Sequence, residues 1–92
     1  MKVSEGRFQC PCCDYFTLHG RGAYDVCPVC YWEDDGTDLN ALDEVSGSNH
    51  ITLRTARRNF ESIGAADDSS VPLVAGAAER DGLRREQRAT FH

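Results

Sequence analysis

The clearest hydrophobic pattern in this chain of 92 residues lies in its second half. Four apolar residues recur there at spacings of three, four and three: Leu53, Ala56, Phe60 and Ile63. This period places them along one face of an α-helix. Thr52 is suited to cap the amino end of that helix, and Gly64 is a residue type that commonly ends one. The pattern predicts a helix over residues 53–63.

Two short runs of β-forming residues precede the helix and flank a turn. Residues 15–18 and 24–26 are rich in aromatic and β-branched side chains, and residues 19–22 (HGRG) contain two glycines that permit a hairpin turn. This order predicts a β-hairpin. Tyr31 and Trp32 would continue into a further strand, which would complete a three-stranded sheet.

No comparable pattern follows Gly64. Residues 67–92 have no sustained apolar period and are interrupted by one proline and two glycines. Residues 77–90 suit either a short basic helix or disorder. We therefore divide the chain into a domain over residues 1–66 and a poorly ordered or partly helical tail over residues 67–92.

Composition adds five cysteines, four of which form two matched pairs. Cys10 and Cys13 are separated by two residues, as are Cys27 and Cys30, and thirteen residues lie between the pairs. This spacing is close to that of four-cysteine zinc sites. It predicts these four cysteines as metal ligands, with zinc as the preferred ion. Iron in a rubredoxin-type site is the alternative, because four thiolates suit either metal.

Five further residues are expected to surround the metal: Pro11, Cys12, Pro28, Val29 and Trp32. Each proline directly follows the first cysteine of its pair, where its fixed φ presets a turn. The backbone amides that follow can then donate to the first sulfur and orient it. Trp32 would cover the apolar side of the site.

These elements predict a small α+β metal-bound domain. Its sheet would be zinc-ribbon-like, with two Cys-Pro-x-Cys knuckles, and one α-helix and the tail would follow. The metal has to supply much of the stability, because a chain of this length buries a modest core. A site of four thiolates leaves no open coordination position, so we expect no catalysis at the metal.

Cys12 is the surplus thiol, and three interpretations remain open for it. It can pack as a small apolar side chain. It can be the reactive thiol of a redox protein or hydrolase, with His19 or Asp14 as helper. It can also replace Cys13 as a ligand.

Charge differs between the two halves of the chain. Residues 1–50 contain nine acidic and three basic residues, whereas residues 51–92 contain six acidic residues and seven arginines. The acidic half carries all the cysteines, which argues against nucleic acid as a partner. Residues 33–50 are acidic and polar but do not fit the ligand positions of an EF-hand, so a solvated loop is the expectation there.

The predicted helix carries three arginines, Arg54, Arg57 and Arg58. They either balance the acidic loop within the molecule or form a patch that binds a partner. The first residues (MKVSEGRF) lack the basic and apolar regions of a signal peptide, and no segment is long and apolar enough to span a bilayer. Five cysteines also suit reducing conditions, so we expect a cytoplasmic protein without a membrane partner.

Four segments resemble the bacterial cysteine-rich CPCC family: CPCC at 10–13, CPVCYWEDDG at 27–36, DEVSGSN at 43–49 and LRTARRNFESIGA at 53–65. The resemblance covers about residues 8–66. It implies a small bacterial protein with a zinc-ribbon-like core and no established activity. Members usually have glycine where this chain has Asp14, and aspartate tolerates a left-handed backbone better than most residues.

These observations favour a non-enzymatic structural-zinc module that binds another protein, in a regulatory or toxin-neutralising role. A thiol-dependent hydrolase or redox protein that uses Cys12 is the alternative. A zinc ribbon that binds nucleic acid is the third hypothesis, and the acidic front half disfavours it.

Overall fold

The computed structural model of the protein describes residues 3, 4 and 6–89. Three short strands come first: β1 (Val3–Ser4), β2 (Arg7–Gln9) and β3 (Phe16–Leu18). A 3-10 turn (Leu39–Ala41), helix α1 (Leu53–Ile63), a second 3-10 turn (Asp68–Leu73) and helix α2 (Ala77–Asp81) follow. The protein is therefore a small α+β fold in which loops account for much of the chain.

The sheet is antiparallel in the order β1-β2-β3. Phe8 on β2 pairs with Val3 on one side and with Leu18 on the other. All three residues of β3 are buried, so this strand forms the inner edge of the sheet. The strand predicted over residues 15–18 is therefore present, but its neighbour comes from before the first cysteine pair.

The prediction that residues 24–26 form the hairpin partner of β3 is wrong. Residues 24–26 form no strand, and Val26 makes a single isolated bridge with Glu33. The further strand at Tyr31 is also absent from the described chain. The reason is the backbone, because Tyr24 has φ of 64° and Tyr31 has φ of 69°, and a residue in the left-handed region cannot continue a strand.

Helix α1 begins and ends at the predicted residues. The Thr52 side chain accepts a hydrogen bond from the Thr55 amide at 3.1 Å, and Gly64 takes a left-handed conformation with φ of 75°. The Gly64 amide then donates to the Phe60 carbonyl at 2.9 Å. These are the expected caps of a helix that follows a β-region residue and stops at glycine.

The core lies between α1, β3 and the cysteines. Leu18, Val29, Trp32 and Leu53 are fully buried there, and Cys12 belongs to the same cluster. Leu53, Ala56 and Phe60 are the buried apolar residues of α1, whereas Ile63 at its end is 39% exposed. The apolar stripe read from the sequence is thus buried over its first three positions.

The acidic segment, residues 33–50, is folded rather than solvated throughout. Asp34 is fully buried and accepts hydrogen bonds from Arg21 Nε at 2.9 Å and from the Gly22 amide at 2.8 Å. Asn49 closes the segment, because its side chain accepts from the Glu33 amide and donates to the Glu33 carbonyl. The expectation of a solvated loop is therefore wrong for Asp34, whose charge is compensated by an arginine from the predicted hairpin turn.

The described part of the tail, residues 67–89, contains the second 3-10 turn and α2. Helix α2 is shorter than the helix predicted over residues 77–90, and Gly82 directly follows the last residue of α2. Residue 90 of the predicted helix lies outside the described residues. The division of the chain at residue 66 stays a prediction. Within the described residues, no helix has the length and apolar character to cross a membrane.

Candidate metal centre

The structure brings the four predicted ligands together. The Sγ atoms of Cys10, Cys13, Cys27 and Cys30 all lie within 4.8 Å of one another, and all four residues are fully buried. The Cys10–Cys30 and Cys13–Cys27 sulfur distances are both 3.7 Å. A metal bound at 2.3 Å to four tetrahedral sulfurs requires sulfur spacings of about 3.8 Å. The centre therefore fits a tetrahedral metal ion.

Two loops with the same backbone hydrogen bonds supply these sulfurs. In the first cysteine loop, residues 10–14, the Asp14 amide donates to the Cys10 carbonyl at 2.9 Å. In the second cysteine loop, residues 27–31, the Tyr31 amide donates to the Cys27 carbonyl at 2.7 Å. Asp14 and Tyr31 both take positive φ, 68° and 69°. Asp14 thus occupies a position that needs a left-handed backbone, where its side chain type is tolerated.

The residues predicted to surround the metal differ in their placement. Pro11, Cys12, Val29 and Trp32 are buried, whereas Pro28 is exposed. The Trp32 amide donates to the Cys30 sulfur at 3.4 Å, so Trp32 contacts the site through its backbone. The amide donors predicted within the two cysteine loops stay a prediction.

Thr17 is a contact of the centre that the sequence did not reveal. Its hydroxyl donates to the Cys27 sulfur at 3.0 Å, from the middle of β3. Such a donor disperses thiolate charge and orients the ligand. The contact depends on where β3 lies in the sheet, and no spacing rule links Thr17 to Cys27.

The four thiols differ in the direction in which their surroundings shift the pKa. Burial raises the pKa of Cys10 and Cys30 well above the ordinary value, and it also raises that of Cys13. Burial acts in the same direction on Cys27, but hydrogen bonds from the other three thiols and Thr17 outweigh it and hold the Cys27 pKa well below the ordinary value. The four thiols alone therefore keep most of their protons. A divalent cation would displace those protons, so metal uptake is favoured by rising pH.

A buried ion pair joins α1 to the first cysteine loop. Arg57 donates from Nη1 to Asp14 Oδ1 at 2.8 Å and from Nη2 to Asp14 Oδ2 at 3.0 Å, and Nη1 also donates to the Pro11 carbonyl at 2.5 Å. Asp14 is 1% exposed and Arg57 is 7% exposed. Arg57, expected either to balance the acidic loop or to form part of a binding patch, is therefore buried against Asp14 of the first cysteine loop.

The other two arginines of α1 remain at the surface side of the helix. Arg54 forms a two-point ion pair with Asp43, at 2.8 Å and 3.1 Å, so it does balance the acidic segment within the molecule. Arg58 is exposed. The alternative, a patch that binds a partner, stays a prediction, and with Arg57 buried it would include only Arg58 and the partly exposed Arg54.

The tail crosses both cysteine loops. Arg85 Nε donates to the Cys13 carbonyl at 2.9 Å, and the Arg88 amide donates to Asp14 Oδ2 at 2.8 Å. At the second loop, the Ala75 amide donates to the Pro28 carbonyl at 2.8 Å. We name these contacts of residues 75–88 the tail clasp. Apart from the arginines of the tail, no pattern in the sequence predicts the tail clasp.

Cys12 is placed for packing. It is 3% exposed within the core, and neither of its predicted helpers is available to it. The Asp14 carboxylate is bound by Arg57 and by the Arg88 amide, while His19 Nδ1 lies 3.0 Å from Asp25 Oδ2. Of the three interpretations, burial supports the small apolar side chain.

These features define a small α+β protein with a buried four-cysteine centre that can hold a metal ion. Its sulfurs lie on two loops of matching geometry, and its first loop is fixed by a buried ion pair. The chain belongs to the cysteine-rich CPCC family, whose model matches residues 8–81. The match includes all four predicted ligands and Ala75 of the tail clasp, and it ends before Arg85 and Arg88. No curated protein and no solved structure matches the chain.

Proposed function

We propose that the protein is a non-enzymatic module in which zinc stabilises the fold and the folded surface binds another protein. Complete burial of all four cysteines carries this proposal. Four thiolates fill the coordination shell of zinc and leave no position for a substrate, which is the arrangement of structural rather than catalytic sites. Metal binding of this kind contributes directly to folding.

Metal identity is the first test. Intact mass measured under non-denaturing conditions, together with elemental analysis, should find one zinc per chain in the wild-type protein. Replacement of Cys10, Cys13, Cys27 or Cys30 by serine should abolish binding, whereas Cys12→Ser should retain it. A red, iron-containing protein would support the rubredoxin-type alternative, and zinc loss in Cys12→Ser would contradict the ligand set.

The proposed partner contact lies on the second 3-10 turn. Val71 is 43% exposed and Leu73 is 58% exposed, and both belong to this short segment. Isolated exposed apolar residues are common, but Val71 and Leu73 lie within one six-residue segment and can contact a partner together. A regulatory or toxin-neutralising partnership is the form of function that such a contact would serve.

A matched pair of variants tests this contact. Leu73→Asp should weaken a purified complex at least tenfold, whereas Val45→Asp, which adds the same charge at a residue 68% exposed, should leave its affinity unchanged. Proteins captured by the tagged wild-type chain would be purified and titrated against both variants by calorimetry. Equal affinity of the two variants would contradict the proposed contact. Metal content of each variant provides the folding control.

A further inference from the structure

A cavity of about 310 Å³ opens beside the metal centre. Its apolar lining comes from Phe16 on β3, Val26, Pro28 and Leu83 in the tail. Ligand pockets have volumes of roughly 300 to 1,000 Å³ and combine an apolar lining with a few polar groups. This cavity is at the lower end of that range, so it suits a small molecule.

One wall of the cavity is formed by the surroundings of Cys27. Val26 and Pro28 are its sequence neighbours, and Thr17 lines the cavity while donating to the Cys27 sulfur at 3.0 Å. The wall is therefore positioned by the metal centre rather than by a loose surface loop. A preformed wall reduces the conformational entropy lost when a ligand binds.

The cavity lining contains one guanidinium, that of Arg7, and one carboxylate, that of Asp25. Asp25 Oδ2 is already bound by His19, through its backbone amide at 2.8 Å and through Nδ1 at 3.0 Å. Arg7, in contrast, lines the cavity without an observed side-chain hydrogen bond or ion pair to any residue in the described part of the chain. The guanidinium of Arg84 lies outside the lining, 5.8 Å from the centre of the Phe16 ring, and is paired with Glu86 Oε2 at 3.5 Å.

We propose that this cavity binds a small monocarboxylic acid with an apolar body. The carboxylate would pair with the guanidinium of Arg7, whose fork geometry matches two carboxylate oxygens. The apolar part would lie against Phe16, Val26 and Leu83. The formal net charge of −5 disfavours ligands with several negative charges, which leaves a single carboxylate as the best match.

Titration with phenylacetate tests the proposal on the metal-loaded protein, with amide chemical shifts as the readout. We expect saturable shifts at Phe16, Thr17 and Val26, with a dissociation constant on the order of 1 mM, as for other weakly binding small ligands. Phenylacetamide removes the charge and acetate removes the apolar body, so each should bind at least tenfold more weakly. Equal binding of phenylacetate and phenylacetamide, or no saturable shift at these residues, would overturn the proposal.

Variants then assign the charged contact. Arg7→Gln should weaken phenylacetate about tenfold without changing phenylacetamide, and Arg58→Gln on α1 should change neither. An unchanged phenylacetate affinity in Arg7→Gln would refute the role of Arg7. N-acetylphenylalanine distinguishes the source of the carboxylate: tighter binding than phenylacetate indicates a polypeptide end, and weaker binding indicates a free acid.

Discussion

Replacement of Arg57 by methionine should destabilise the metal-loaded protein. Methionine keeps a long side chain in the same space but removes the guanidinium. It thereby removes both hydrogen bonds to Asp14 and those to the Pro11 and Arg88 carbonyls. A carboxylate that is 1% exposed would be left without its main counter-charge.

The magnitude follows from the burial of the pair. Loss of one partner from a buried ion pair costs roughly 3–5 kcal/mol, because the remaining charge is uncompensated. Asp14 keeps the Arg88 amide at 2.8 Å and Arg88 Nε at 3.4 Å, which compensate part of its charge. We therefore expect about 3 kcal/mol, at the lower end of the range.

Two assays measure this loss. Urea unfolding of the metal-loaded protein gives the free energy directly, with a lower midpoint and an unchanged slope. Competition with a chelator gives the metal affinity. If folding and metal binding are coupled, a loss of about 3 kcal/mol weakens the apparent affinity roughly 100-fold, since each 1.4 kcal/mol corresponds to a factor of ten.

The control is Arg58→Met, which makes the same chemical change at an exposed position one residue away. It should alter stability by no more than about 0.5 kcal/mol. Asp14→Asn and the double variant complete a cycle, in which the double variant should lose much less than the sum of the single changes. A loss under about 1 kcal/mol for Arg57→Met, or additive losses in the cycle, would refute the proposed coupling of α1 to the first cysteine loop.

Three further predictions concern the centre and the acidic segment. Cys12→Ala should keep full metal content by elemental analysis and lose roughly 1 kcal/mol in urea unfolding, as for an average buried change, and metal loss would contradict its packing role. Thr17→Val should weaken metal affinity about tenfold in chelator competition because it removes a hydroxyl donor to the Cys27 sulfur, and an unchanged affinity would contradict that role. Burial raises the pKa of Asp38, but hydrogen bonds led by that from Arg21 outweigh it and hold the pKa below its usual value. The charge of Asp38 should therefore stabilise the fold above the unfolded pKa of about 3.9, and the stability difference from Asp38→Asn should disappear as pH falls through the folded value; a constant difference would count against this linkage.

The sequence by itself determined the parts of this protein that depend on local chemistry. Four cysteines in two x₂-spaced pairs indicated the ligand set, because short turns fix the direction of both sulfurs in a pair. Helix α1 was predicted to its end residues, since Thr52 and Gly64 act on backbone groups within one turn of themselves. The left-handed backbone at Asp14, where φ is 68°, was implied by the resemblance to the family, whose members usually have glycine there.

Only the tertiary structure decided which distant segments complete the site. Thr17 reaches Cys27 through the position of β3, and Arg57 and Arg88 reach Asp14 from 43 and 74 residues away. Each such contact costs conformational entropy, because it orders residues that are otherwise free. One pair of residues is therefore not enough to form the contact by itself. The contacts form together, when burial of the cysteines and α1 brings their charged groups out of water and into reach of one another. The spacing of residues along the chain does not indicate which of these distant groups meet. The four ligands were therefore predictable from the sequence, whereas the contacts of Thr17, Arg57 and Arg88 were not.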